Sequence, residues 1–227
     1  RIQPGISTLQ VDSFADEFIR SHAGALPAFK GLYGFPGSVC TSLNEEVVHG
    51  IPKADRVLED GDIISIDVGV KLDGWCSDSA WTFPVGEIDE KTRHLLEVTE
   101  DALDRAVSAT VLAGFVGDIG AAVVTRVEGT GLSIIRDLVG HGVGREVHEE
   151  PQVPNFGRAG TGPALREGIV VAIEPMLSCG TFEIQVLGDR WTVVTKDGTP
   201  TAHFEHTVAV TAAGPRVLTA APAEAPA

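Results

Sequence analysis

One stretch constrains this chain more than any other: Gly61 to Phe83, which reads GDIISIDVGVKLDGWCSDSAWTF. Ile63, Ile64, Ile66, Val68 and Val70 predict an apolar strand. Asp73-Gly74 is a turn signal, and Trp75 to Phe83 predicts the returning strand. Asp67 lies inside the first strand and Asp78 inside the second. A loop with an even number of residues puts both on one face, opposite or one diagonal apart; an odd loop separates them. Like charges across a hairpin destabilise it, and a bare carboxylate among Ile and Val is costly to bury. Exposure accounts for one such Asp as well as function does; for the pair, a positive group between them fits better.

The hairpin also belongs to an internal repeat. Leu58 to Asp67 reads LEDGDIISID, and Leu165 to Glu174 reads LREGIVVAIE. Each copy delivers an acid at the end of an apolar strand. A later strand adds a second acid to each half, Asp78 in the first and Glu205 (in HFEHT) in the second. Two similar halves around a pseudo-twofold axis would bring the four carboxylates together.

His141, in GHGVG, follows the expected strand Ser133 to Val139, and His148 comes seven residues later in VHEEPQVP. The glycines between them exclude the helical HExxH pair of zinc proteases. His141 adds one imidazole to four carboxylates. That donor set suits Mn, Fe(II), Co or Zn, and two cations rather than one. Four acids are too many for a single zinc, and an imidazole is unusual for calcium or magnesium.

The rest of the chain bounds the answer. Its 227 residues suffice for one large domain or two small halves. A net charge of −15 argues against nucleic acid or an anionic membrane as the main partner. No apolar run approaches the ~18 residues of a membrane span, and no signal peptide is visible. Cys40, Cys76 and Cys179 lack CxxC spacing, which fits a reducing cytosol.

Periodicity predicts a helix capped by Ser7 or Thr8, with Val11, Phe14, Ala15, Phe18 and Ile19 on one stripe. It predicts a second helix capped by Asp89 and ended by Gly114, and a third capped by Asp118 and running through Val127. Strands are expected at Ser38–Leu43, within Asn44–Pro52 before a His-Gly turn, and at Ile169–Met176, Trp191–Thr195 and Phe204–Val210. From Ala212 the sequence is Ala/Pro-rich and reads as a frayed tail.

NEEVVHGIP, GDIISIDVGV, DGWCSDSAWTF, GHGVGREVHEEPQVP, IEPM and FEHTVAVT together resemble type I methionine aminopeptidases of the pita-bread fold, from about Pro4 to Val210. The resemblance implies an α+β architecture: two pseudo-twofold halves, a curved antiparallel sheet and helices covering it. One catalytic domain would span residues 1–211, with a disordered tail over 212–227.

The resemblance also implies that Asp67, Asp78, His141, Glu174 and Glu205 hold two divalent ions, with Asp78 and Glu205 bridging. Asp67 would chelate one ion, and His141 with Glu174 the other. His49 and His148 would contact the substrate amide, and Glu174 would also shuttle a proton. Tyr33, Phe35, Cys40 and Trp191 would wall the substrate pocket.

The activity implied is removal of N-terminal methionine from nascent chains with a small second residue, through a hydroxide shared by two metals. A monomer in the cytoplasm, acting at the ribosome, is implied too. The alternatives are an X-Pro aminopeptidase or dipeptidase, and a non-catalytic peptide-binding protein of the same fold. The chain departs from the family at several points. The family's helix before Pro4 is absent from this sequence. Leu32 and Val147 stand where Tyr and Phe are expected in the methionine pocket, and His203 where Gln is expected.

Overall fold

Asp73 (φ 51°) and Gly74 (φ 77°) both take the left-handed conformation, which a two-residue hairpin turn between right-twisted strands requires. The strands they join, Ile63–Leu72 and Trp75–Pro84, pair without a break from Ile63 opposite Pro84 to Leu72 opposite Trp75. The loop is therefore even. Asp67 lies opposite Ala80 and Asp78 opposite Gly69, so the two acids share a face one diagonal apart. The structure, a computed structural model, describes residues 2–221.

All strand pairs among the described residues are antiparallel. The hairpin is the heart of a four-stranded sheet completed by Leu26–Pro27 and Cys40–Leu43. A five-stranded sheet in the second half centres on Val170–Ile173, with His206–Thr211 on one side and Val139–Gly142 on the other. Helices α1 (Thr8–Arg20), α2 (Glu90–Ser108) and α3 (Val116–Val127) cover the sheets. Leu95, Val98, Ala102 and Leu103 of α2 join Ile119 and Val123 of α3 and Val171, Ile173 and Val208 in one buried core. No helix among the described residues is long and apolar enough to cross a membrane.

The repeat is a structural one. Leu58 and Leu165 are both buried, and Gly61 (φ 95°) and Gly168 (φ 86°) both turn through positive φ before their strands. Two residues past Asp67, Gly69 faces Asp78. Two residues past Glu174, Met176 faces His203. In register, then, Asp78 corresponds to His203, whereas Glu205 corresponds to Ala80. Each half does supply its second acid, but not at the same rung: the repeat is preserved in the backbone ladder, and the acid of the second half stands two residues along it.

A reciprocal pair of contacts ties the halves together. The Thr207 hydroxyl accepts from the Asp78 N–H (2.9 Å) and donates to the Asp78 carbonyl (2.6 Å). The Thr82 hydroxyl accepts from the His203 N–H (2.9 Å) and donates to the His203 carbonyl (2.8 Å). Glu205 N–H adds a bond to the Ala80 carbonyl at 2.8 Å.

Of the two caps expected for α1, Ser7 is the one used, in a capping box with Gln10. Other expectations need correction. Phe18, placed on the apolar stripe, is 68 % exposed. Helix α2 ends at Ser108, well before Gly114, where Thr110 Oγ1 turns back to the Ala106 carbonyl. Asp118 lies in the first turn of α3 and reaches back to the Phe115 N–H at 2.7 Å instead of preceding the helix. Pro175 can donate no ladder bond, so the expected strand Ile169–Met176 splits into Val170–Ile173 and Met176–Ser178. Glu205 lies in a similar break between Thr201–His203 and His206–Thr211. Ser133–Val139 is a strand only at Ser133–Ile134, with Val139 opening the next strand. The frayed tail expected from Ala212 is corrected over its first residues. Gly214–Val217 pairs with Val208–Thr211, because backbone pairing at a sheet edge does not need apolar side chains. Residues 222–227 of that expected tail lie outside the described residues.

Candidate metal centre

Glycines shape the approach to His141. A Cβ on Gly140 would lie 2.3 Å from the Ala172 carbonyl oxygen, and one on Gly142 2.3 Å from that of Glu150. Only glycine lets these strands close on either side of the imidazole. His141 Nδ1 lies 2.9 Å from the Gly142 carbonyl oxygen. A carbonyl can only accept, so Nδ1 carries the proton and Nε2 keeps a lone pair available to a cation. That Nε2 is 3.8 Å from Asp78 Oδ2 and 3.6 Å from Glu174 Oε1. Ligand atoms of Asp78, His141 and Glu205 all lie within 4.8 Å of one another.

The electrostatics are extreme without a cation. Burial pushes the Asp67 carboxyl up to about 7. Burial, reinforced by mutual repulsion, drives Asp78, Glu174 and Glu205 well above the carboxylate range. Among the described residues, the ion-pairing partners of these acids are His141 and His203. Burial holds both imidazoles neutral, at about 4 and about 3. Asp67 Oδ1, Asp78 Oδ1, Glu205 Oε1 and His203 Nε2 are buried without a hydrogen-bond partner. Leaving such a group unmet costs about 1–3 kcal/mol, and more for a charged one. Four carboxylates, an imidazole with a free lone pair and three orphaned oxygens fit divalent cations, which meet both the charge and the coordination.

Above this floor opens a cavity of about 260 Å³. It is lined by all eleven residues singled out in the sequence: Asp67, Asp78, His141, Glu174, Glu205, His49, His148, Tyr33, Phe35, Cys40 and Trp191. His49 (φ 59°) and Tyr33 (φ 50°) both hold left-handed conformations uncommon for residues with side chains. His49 sits edge-on to Trp191 at 6.4 Å, and Trp191 packs edge-on to Phe35 at 5.2 Å. His148 stacks on Tyr33 at 6.0 Å and meets His141 at 4.4 Å between ring centroids. Burial lowers the basicity of His49 and His148, so both are neutral N–H donors near pH 7.

Phe29, Val48, Leu138 and Val139 also line the cavity and escape a sequence reading. One signal points to Phe29: Gly69, inside the first strand, is the place its ring enters, and a Cβ there would lie 2.4 Å from the ring. Leu32 lines the cavity as expected. Val147 is buried among Phe29, Phe35 and Cys40 and is not part of the lining.

The model of metallopeptidase family M24 matches residues 1–212. Methionine aminopeptidase 1 of Bacillus subtilis is 51 % identical over 218 residues, covering 96 % of this chain and 87 % of that one. The crystal structure of a methionine aminopeptidase from Thermotoga maritima superposes with a TM-score of 0.95 at 44 % identity, covering 97 % of this chain and 88 % of that one. A prolidase from Pyrococcus furiosus shares the fold alone, with a TM-score of 0.76 at 23 % identity, and this chain covers 98 % of itself but 58 % of the prolidase.

Proposed function

The chain belongs to metallopeptidase family M24, and from that premise we infer that it is a methionine aminopeptidase. It is a metal-dependent hydrolase that removes the N-terminal methionine of peptides. The observation that carries this reading is the floor of the cavity, where ligand atoms of Asp78, His141 and Glu205 converge within 4.8 Å under an apolar vault. The relatives of high identity and near-full length are methionine aminopeptidases, which sets this reading above the X-Pro peptidases and above a non-catalytic binder.

We propose that Asp67, Asp78, His141, Glu174 and Glu205 would hold two divalent ions (Co, Mn, Fe(II) or Zn). Bound divalent ions supply a water acidified to about pKa 7 and a polarised carbonyl. The protein's side chains do the rest. Phe35, Cys40, Tyr33 and Trp191 hold the methionine side chain and exclude water. His148 donates an N–H to the carbonyl oxygen as it gains charge. His49 contacts the scissile amide and favours departure of the nitrogen. Glu174 takes the proton of the attacking water and returns it. A small second residue is required because the two imidazoles crowd that position.

We further propose that residues 1–211 form one catalytic unit, and that the enzyme works as a cytoplasmic monomer on nascent chains at the ribosome. The unpaired state of Cys40, Cys76 and Cys179 supports a reducing compartment. The deciding assay compares Met-Ala-Ser with Ala-Pro peptides, using chelated protein and protein reloaded with each metal. Cleavage of Met-Ala-Ser that needs metal is expected. Cleavage of Ala-Pro alone, or activity that survives exhaustive chelation, would overturn the reading.

A further inference from the structure

We propose that His203 is a positioning residue of the metal centre, its Nε2–H holding the carboxylates of Glu174 and Glu205 in place. This rests on the metal-dependent reading above. His203 occupies, in the second half, the register place that Asp78 occupies in the first, so its side chain points at the same centre. Its backbone is held on both sides by the Thr82 hydroxyl, which fixes the direction of the ring.

The ring itself is 2 % exposed, and Nε2 has no hydrogen-bond partner among the described residues. What it faces is specific: Glu174 Oε2 at 3.7 Å and Glu205 Oε2 at 3.8 Å. Two carboxylate oxygens flanking one ring nitrogen favour the tautomer with the proton on it, since a lone pair there would face lone pairs. A shift of about 0.5 Å brings either oxygen into hydrogen-bond range.

Each carboxylate then divides its oxygens. Glu174 presents Oε1 to His141 and Oε2 to His203. Glu205 presents Oε2 to His203 and keeps its orphaned Oε1 for a cation. With its Nε2–H directed at these two carboxylates, His203 acts on the ligands and not on the ions. Removing such an outer partner typically weakens metal binding about 10- to 100-fold.

The test uses Co(II) as the probe, titrated into the metal-free full chain by calorimetry and followed by visible absorption. Wild type, His203→Gln and His203→Ala are compared, with His203→Leu replacing Ala if the cavity it leaves prevents folding. We expect the Ala or Leu variant to bind Co(II) about 10- to 100-fold more weakly. Gln, whose amide N–H can reach the same oxygens, should stay within a few-fold of wild type. The Co(II) band positions should be unchanged in every variant, because the inner ligands are unchanged. Wild-type affinity in the Ala or Leu variant would make His203 a core filler and overturn the proposal. Gln as weak as Ala, or shifted bands in both, would overturn it in favour of direct ligation. Failure of the wild type to bind Co(II) would remove the metal reading and this proposal with it.

Discussion

In the first half, one unbroken hairpin carries both acids, Asp67 and Asp78, on one face. In the second half the equivalent strands are interrupted at Glu174 and again at Glu205, and the register partner of Asp78 is an imidazole. The backbone ladder is common to both halves; the donors hung on it are not. Regular pairing suffices to place two carboxylates a diagonal apart. Breaks in the strands let the second half present Glu174 and Glu205 nearly opposite each other, with His203 beside both. The pseudo-twofold axis thus organises the position of the site, and the departures from symmetry set its chemistry.

The largest expected effect comes from breaking the regular half. Asp78→Asn removes a charge that burial already makes hard to sustain, and the matching position in the other half cannot supply one. Metal content and turnover should fall together to the level of chelated protein, as read by metal analysis and peptide assay. Retention of metal by the variant would show that Asp78 is not a ligand. A smaller effect follows at His148, which stacks on Tyr33 above the floor. His148→Ala should keep its metal and lose about 10²–10³-fold in kcat, as for loss of one donor to a developing oxyanion. Metal loss in that variant would put His148 among the ligands.

The two halves also allow a stability test of their equivalence. Thr82 and Thr207 make the same pair of bonds to the opposite half, one to His203 and the other to Asp78. Thr82→Val and Thr207→Val keep the side-chain shape, and each leaves one buried N–H and one carbonyl of the opposite half without its partner; Thr82→Val also removes the partner of the Ser65 hydroxyl, 2.8 Å away. Each should cost about 1–3 kcal/mol, or a fall in Tm of roughly 2–4 °C per kcal/mol for a chain of this size. Similar losses in metal-free protein, with Thr82→Val measured in a Ser65→Ala background to remove that extra bond, would confirm that the clamps are equivalent. A clearly larger loss on one side would show that the axis is only approximate in energy.

Much of this architecture was legible in the sequence, and the reasons are local. Asp73-Gly74 announces its turn because few other pairs accept positive φ twice, and the repeat announces the axis because Leu, Gly and acid recur at matched steps. Seven of the cavity-lining residues, the four acids with His49, His141 and His148, stand in short motifs of unusual chemistry, whereas Tyr33, Phe35, Cys40 and Trp191 follow from the resemblance alone. Phe29, Val48, Leu138 and Val139 were not visible, since an apolar wall residue looks like any core residue until the chain is folded. The match of Asp78 with His203 was hidden too: it lives in strand register, and Pro175 and the break at Glu205 disguise that register in the linear chain. Val147 shows the reverse error, a pocket position by resemblance that the fold puts behind the wall.

That error sharpens the last and smallest prediction. Leu32 sits on a tight turn at the cavity surface, and Val147 in the layer beneath it. A larger side chain at Leu32 narrows the space around the substrate's first residue directly. A larger one at Val147 must first displace Phe29, Phe35 or Cys40, at a cost of about 1–3 kcal/mol for overpacking. Leu32→Tyr should therefore raise the ratio of kcat/KM for Met-Ala over Leu-Ala peptides by about threefold to tenfold, a modest part of the ~1–3 kcal/mol that one methylene is worth in an apolar pocket. Val147→Phe should lower Tm while moving that ratio less. If Val147→Phe instead shifts selectivity more than Leu32→Tyr, the wall of the pocket lies one layer deeper than the cavity lining indicates, and the substrate must displace Phe29 or Phe35 to reach it.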